Sequence, residues 1–281
     1  MASRGWKTMS DIFQSISDMP ADAIQKIVDR LEFRGRDPAF VRMRERYFDR
    51  MDLAACNRVL DIGCGTGVAT RALARRDEFQ GKIVGIDFSA ALIEAANRFA
   101  SEEGLSGQIE FRVGDSHALE DADASYDAVL AHTLISHVTD PSSTIADAAR
   151  VLAPDGIIAI FDGDYASITF GAGEPELNST IVNGMLDAIV ANPYVMRELP
   201  GALKDHGLEI VEFIPEVLAE AGQGSFFLNM AESYIPIATN SGTLAASVGS
   251  DWLSAQKSAS ANEAFFGACN FYTFLVRRSR R

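Results

Sequence analysis

The run Val59-Leu60-Asp61-Ile62-Gly63-Cys64-Gly65-Thr66-Gly67 constrains this chain more than any other segment. Apolar, β-prone residues run into three alternating glycines, and a helix-period pattern starts at Val68. Glycine reaches backbone conformations closed to other residues, so the chain can turn sharply here and bring main-chain atoms against a ligand. Such a turn at the carboxyl edge of a buried strand is where doubly wound sheets bind small molecules. A second apolar run ends in Gly85-Ile86-Asp87-Phe88-Ser89, about twenty residues on, where a carboxylate can accept both hydroxyls of a ribose.

From Asn57 to Asp162 short apolar runs alternate with helix-period stretches, the pattern of repeated βαβ units. Strands are expected at Arg58–Ile62, Lys82–Phe88, Gln108–Val113, Tyr126–His132 and Gly156–Asp162. The intervening helices are expected at Val68–Arg76, at Ala90–Glu103 with Ser89 as N-cap, and from Asp140-Pro141 to the turn Pro154-Asp155-Gly156. The strand segments are nearly continuous in Val, Ile and Leu, as strands buried on both faces are. Residues 1–56 carry two helical patterns, Ala21–Arg30 and Pro38–Met51. Beyond Gly171, helices are expected at Ser179–Ala191 and Arg197–His206 and strands at Leu208–Ile214 and Phe271–Val276, with a stretch rich in small residues, 219–264, inserted before the last strand. The reading is an α/β chain: residues 1–56 form a helical lid, 57–281 a doubly wound, mostly parallel core, and 219–264 a helical cap over the substrate.

The spacing of the glycine turn separates cofactors. A nicotinamide fingerprint wants Gly or Ala where Val68 stands, and no Lys-Ser/Thr follows to make a triphosphate loop. Asp61, directly before the glycines, would repel a phosphate and suits a cationic ligand. Together VLDIGCGTG, GIDFS, GDSHALE and YDAVLAHTLISHV resemble the motif series of class I S-adenosylmethionine-dependent methyltransferases of the small-molecule type. The resemblance covers Asn57 to Asp162 and implies a seven-stranded Rossmann-like sheet. It also implies that Asp61 with Gly63, Gly65 and Gly67 holds the methionine end of S-adenosylmethionine, Asp87 the ribose, Phe88 the adenine face, and Asp115 with the Ser116 backbone the adenine edge. Asp115 has a second reading as a turn residue after Gly114.

A sulfonium makes its methyl group electrophilic, so the protein's task is to align a nucleophile and manage one proton. Residues near the ends of the fourth and fifth strands face that task. His132, His137 and Asp164 are the catalytic candidates, with Asp162 and Tyr165 at the acceptor; Ser136 lies among them. His137 can equally cap the helix it is expected to open, and His132 can contact the cofactor. Asp162 and Asp164 lack a third ligand, so no metal is expected. Met43, Tyr47, Phe48 and Met51 recur at helical spacing, interleaved by Arg42, Arg44 and Arg46. This is either a lid whose Tyr47 or Arg42 reaches the methionine carboxylate or an amphipathic helix packed on the core. Phe226, Phe227, Met230, Tyr234 and Trp252 would form a second, aromatic wall, suited to a hydrophobic or aromatic metabolite such as those of secondary metabolism.

Composition narrows the partners. The 281 residues include 25 Lys+Arg against 39 Asp+Glu, a formal charge of -14, which disfavours nucleic acid and anionic membranes. The segment after the fourth strand, His132-Thr133-Leu134-Ile135, lacks the Pro-Pro-aromatic grip on a flipped base and the paired glutamates of protein-arginine methylation. Cys56, Cys64 and Cys269 are scattered and odd in number, consistent with a reducing, cytoplasmic setting. Met1 to Ile12 has no signal-peptide pattern, and no apolar run reaches membrane-spanning length. Arg277, Arg278, Arg280 and Arg281 read as a solvated tail. The expected partner is a small-molecule methyl acceptor, with homodimer formation left open. The competing readings are a catalytically silent binding protein of the same fold and, less well matched, a nicotinamide oxidoreductase.

Overall fold

A computed structural model describes Ile16 and residues 19–279; the expectations for Met1–Ile12, Arg280 and Arg281 lie outside the described residues. Two helices, α1 (Ala21–Arg36) and α2 (Pro38–Phe48), precede β1 (Arg58–Ile62). Then come α3 (Val68–Ala74), β2 (Lys82–Asp87), α4 (Ala90–Glu102), β3 (Ile109–Val113), β4 (Tyr126–His132), α5 (Pro141–Val151) and β5 (Leu152–Phe170). The chain ends with α6 (Pro175–Ile189), α7 (Val195–Asp205), β6 (Leu208–Gly222), α8 (Phe226–Asn240), α9 (Ala246–Ala261) and β7 (Phe265–Arg278).

The seven strands form one sheet in the order β3-β2-β1-β4-β5-β7-β6. The first five pair in parallel, and β7 runs antiparallel to β5 and β6. From β1 the chain steps outward to β2 and β3, then returns to lay β4 on the other side of β1. The two directions of winding part between β1 and β4, and a crevice opens at the carboxyl ends of the strands there.

Strand residues alternate between the two sheet faces. Val59, Ala128, Leu130, Ile157, Ala159 and Phe161 join one core with α2, α3, α4, α6, α8 and α9. Leu60, Ile62, Val129, Ala131, Ile158 and Ile160 join the other with α5 and α7. Each such Val, Leu or Ile contributes about 1.5–3 kcal/mol of burial energy. The capping residues act as read: Ser89 Oγ accepts the Leu92 amide, and Asp140 Oδ1 that of Ser143. Met43, Tyr47, Phe48 and Met51 are buried, so α2 is an amphipathic helix packed on the sheet.

Three departures have local causes. Pro154-Asp155-Gly156 makes no free turn: α5 passes straight into β5, and the residues form a bulge where the β4 pairing jumps from Leu152 to Ile157. β5 does not end at Asp162, because β7 continues alongside it to Phe170, through a second irregularity after Asp164. β6 likewise runs to Gly222, paired with Phe265, so the first four residues assigned to the inserted cap are strand. Among the described residues no helix is long and apolar enough to cross a membrane.

Arg277 and Arg278 are anchored. Arg277 Nη1 donates to the Asp155 carbonyl, and Arg278 Nη2 donates to the carbonyls of Ala149, Arg150 and Leu152 at the α5–β5 junction. Arg278→Ala should therefore destabilise the fold by about 2 kcal/mol, the scale of lost charge-assisted bonds, measured as a lowered urea midpoint; Arg277→Ala, which loses one long bond, should change it by much less.

Candidate active site

The glycine turn after β1 is built by crowding. Gly63 and Gly67 have φ of +66° and +79°, and a Cβ would come within 2.4 Å of Leu134 Cδ1 at Gly63 and of Phe111 Cζ at Gly67. No other residue fits either place. The Cys64 amide donates to the Ile86 carbonyl, and Asp87 Oδ2 accepts the Gly65 amide at 2.9 Å. The turn is thus fastened to the end of β2.

A cavity of about 390 Å³ opens over this turn. Asp61, Gly63, Gly65, Asp87, Phe88, Asp115, Ser116 and His132 line it, so most of the residues expected at the cofactor meet there. Asp61 is buried; its Oδ2 accepts the Thr70 hydroxyl at 2.5 Å, and its Oδ1 is buried with no hydrogen-bond partner among the described residues. Burial pushes the Asp61 carboxyl up to about 7. Asp87 is also held above the usual range by burial, against the opposing amides of Ser89 and Gly65. Asp115 lies at the open end, below the usual range because it accepts the His117 amide. His117 Nε2 accepts the Asp140 amide, which leaves its Nδ1 proton for Asp115 Oδ1 at 2.8 Å.

The roof comes from the N-terminal helices, a contribution hidden from local motifs. Leu31, Arg34 and Gly35 of α1 and Phe40 and Arg44 of α2 line the cavity. Glu32 locks α1 onto the turn, accepting the Thr66 hydroxyl at 2.7 Å and Arg71 Nη2 at 2.5 Å. Arg44, only 6% exposed, enters the cavity, whereas Arg42 is exposed. Tyr47 does not line the cavity itself; its hydroxyl meets His132 Nδ1 at 2.8 Å and so acts through that ring. Sequence reasoning missed Arg34 and His117; their roles arise from packing between distant segments.

His132 stacks on Phe161, with centroids 4.8 Å apart. Burial, then the charges of Arg34 and Arg44, hold its imidazole well below its usual range, so it is neutral and weakly basic. His137 does not open a helix: α5 begins at Pro141, and His137 sits in the preceding turn, its amide bonded to the Leu134 carbonyl. Thr133, a β-branched residue at φ +55°, makes the sharp exit from β4. Its amide donates to the Phe161 carbonyl and its hydroxyl accepts Arg34 Nη2 at 2.8 Å.

A second, smaller cavity of about 40 Å³ adjoins the first and shares Leu31, Arg34 and His137 with it. Tyr165, Phe226, Met230 and Tyr234 line it. Four other candidates lie elsewhere. Asp162 is fully buried and braces the turn after β4: Oδ2 accepts the Ser136 amide and hydroxyl, and Oδ1 the Gly163 amide. Asp164 is buried and gives both oxygens to Arg197 Nε at 2.9 Å, so it is an ion-pair partner outside either cavity. Phe227 and Trp252 are core residues packed on Phe170, and the Trp252 indole donates to Asn178. Among the described residues no cluster of three His, Cys, Asp or Glu could hold a metal.

Comparison with known proteins agrees with this geometry. The profile of the methyltransferase domain family matches residues 55–215. Methyltransferase GfsG of Streptomyces halstedii is 35% identical over 61% of this chain and 59% of its own length. The 27-O-demethylrifamycin SV methyltransferase of Amycolatopsis mediterranei is 31% identical over 62% of this chain and 61% of its own. A 37.1 kDa protein of a Streptomyces fradiae transposon, described as uncharacterized, is 31% identical over 59% of this chain and 48% of its own length. The matched region therefore spans half to three fifths of these relatives. Among solved structures, the [4+2]-cyclase SpnF has a TM-score of 0.58 at 21% identity, covering 88% of this chain and 85% of that one. Geranyl diphosphate C-methyltransferase of Streptomyces coelicolor A3(2), solved with S-adenosyl-L-homocysteine, has a TM-score of 0.53 at 16% identity, covering 85% and 76%. Fold, glycine turn and family profile converge, and the chain belongs to the class I S-adenosylmethionine-dependent methyltransferases.

Proposed function

We propose that the chain transfers the methyl group of S-adenosylmethionine to an oxygen, nitrogen or carbon nucleophile of a small molecule with an apolar or aromatic body. The observation that carries this reading is the donor set around the larger cavity. Asp61 Oδ1, buried and without a partner among the described residues, suits an ammonium group, and Arg44, which lines the same cavity, suits a carboxylate. Asp87 retains acceptor capacity for ribose hydroxyls, the exposed ring of Phe88 offers a face to adenine, and Asp115 with the Ser116 amide offers its edge partners. When bound, S-adenosylmethionine supplies a methyl group already activated by the sulfonium.

The protein's own residues orient, exclude water and manage a proton. Tyr47 fixes the ring of His132, which contacts the ligand as a neutral group rather than as a base. His137 borders both cavities and is the residue placed to take a proton from an acceptor. Leu31, Phe226 and Met230 keep the acceptor side apolar. α1 serves as the lid over the turn, latched by Glu32. The names of the curated relatives, among them ubiquinone biosynthesis O-methyltransferase of Azorhizobium caulinodans, support a small acceptor, and the apolar walls support its hydrophobic body.

Two titrations with S-adenosylhomocysteine test the cofactor assignment. Asp87→Ala should lower affinity by at least about tenfold, the scale of charge-assisted bonds to two hydroxyls, with the melting temperature confirming that the variant is folded; unchanged affinity contradicts the assignment. An ammonium at Asp61 favours the ionised carboxylate, so binding should expel the proton that burial retains up to about pH 7. Affinity should then rise with pH to about 7 and level off above it, with proton release seen by calorimetry in buffers of different ionisation heat. Asp61→Asn should abolish that release.

A further inference from the structure

Resting on the reading above, the geometry points to one acceptor class: we propose that the acceptor carries an acidic hydroxyl, a phenol or enol, on an apolar skeleton, and that Arg34 holds it as its oxyanion. Arg34 is half-buried and lines both cavities. Its Nη2 donates to Thr133 Oγ1, its guanidinium lies 5.8 Å from the Phe40 ring, and no carboxylate of the described residues forms an ion pair with it. Arg71 and Asp162, buried charges that line neither cavity, are by contrast compensated. Arg71 pairs with Glu32 and Glu103, and Asp162 takes three donors.

The smaller cavity is otherwise mostly apolar or aromatic, with Ile168, Ile189, Val190, Phe226 and Met230 around Tyr165 and Tyr234; its other polar residues are Asn229, His137 and Arg30, whose guanidinium lies 4.3 Å from the centre of the Tyr234 ring. A guanidinium among such walls gains most from a planar oxyanion it can meet with two N–H groups. The same charge disfavours a protonated amine, and the positive charge of a bound sulfonium would add to that preference. An acceptor hydroxyl beside Arg34 passes its proton to His137, which borders both cavities, and through it to solvent. Its oxygen then forms the bond to the methyl carbon as the carbon–sulfur bond breaks, and that electron pair passes to sulfur, leaving a methyl ether and a neutral thioether.

The test separates this inference from the cofactor assignment. The full chain is first titrated with S-adenosylhomocysteine, then, saturated with it, with 4-nitrophenol and with 4-nitroanisole, which has the same skeleton but a masked oxygen. The phenol should bind at least about tenfold more tightly than the anisole, and its absorbance should show the phenolate favoured over free phenol at the same pH. Arg34→Gln should bind S-adenosylhomocysteine as before yet lose both effects, and Arg34→Lys should restore part of them. Equal binding of the two probes, binding of neither, or a preference that survives Arg34→Gln overturns the inference. Loss of S-adenosylhomocysteine binding in Arg34→Gln also overturns it, because Arg34 would then serve the cofactor. Failure of the wild type to bind S-adenosylhomocysteine sinks the cofactor reading as well.

Discussion

The hydrogen bond from the Gly65 amide to Asp87 joins the ends of β1 and β2, and the site is assembled around it. It converts three glycines that could wander into one turn, while Leu134 and Phe111 leave room for no side chain at Gly63 and Gly67. The carboxylate that braces the loop is the one proposed above for the ribose. On that reading shaping the turn and gripping the ligand are one task, performed by a group held above its ordinary pKa range by burial. α1 then closes over the turn, and its latch, Glu32, bonds directly to the turn residue Thr66.

Charge is sorted within this frame. Asp61, Asp87 and Asp115 border the cavity from the strand ends, while Arg44 reaches it from α2 above. An acidic side facing a basic side suits a ligand with separated charges of both signs, as a methionine group has. The net charge of -14 disfavours polyanions, but it says nothing of this arrangement. Most of those acids serve elsewhere, as Glu45, Asp49 and Glu78 do around Arg76.

The sheet's parallel half and the strand-end side of the cavity were legible in the sequence because their signals are local. Asp61, Asp87 and Asp115 each stand at or just beyond the end of an apolar run and can be read from their immediate neighbours. The helical side of the cavity was not legible in the same way. Arg34 and Arg44 matter because α1 and α2 fold back over β1 and β4, a relation no short motif encodes. Asp164 looked reactive beside a glycine, but Arg197, 33 residues away, neutralises it. Phe227 and Trp252 were indistinguishable by type from Phe226 and Tyr234, and which of them faces a cavity is set by how α8 and α9 seat on the core. β5 and β7 outran their apolar cores because antiparallel pairing continues through Thr169↔Ala268 and Phe170↔Gly267, where partner strands rather than side-chain hydropathy carry the ladder.

The central claim is methyl transfer to a small molecule, and the most direct test follows the methyl group itself. Purified protein is incubated with S-adenosylmethionine bearing a deuterated methyl and a panel of hydrophobic phenols, enols and amines, and the products are read by mass spectrometry. The account predicts that the deuterated methyl appears on an oxygen of an acidic, apolar acceptor, with S-adenosylhomocysteine formed in equal amount. Tight binding of the cofactor with no label leaving it for any acceptor would contradict the account and mark the chain as a binding protein built on a methyltransferase fold.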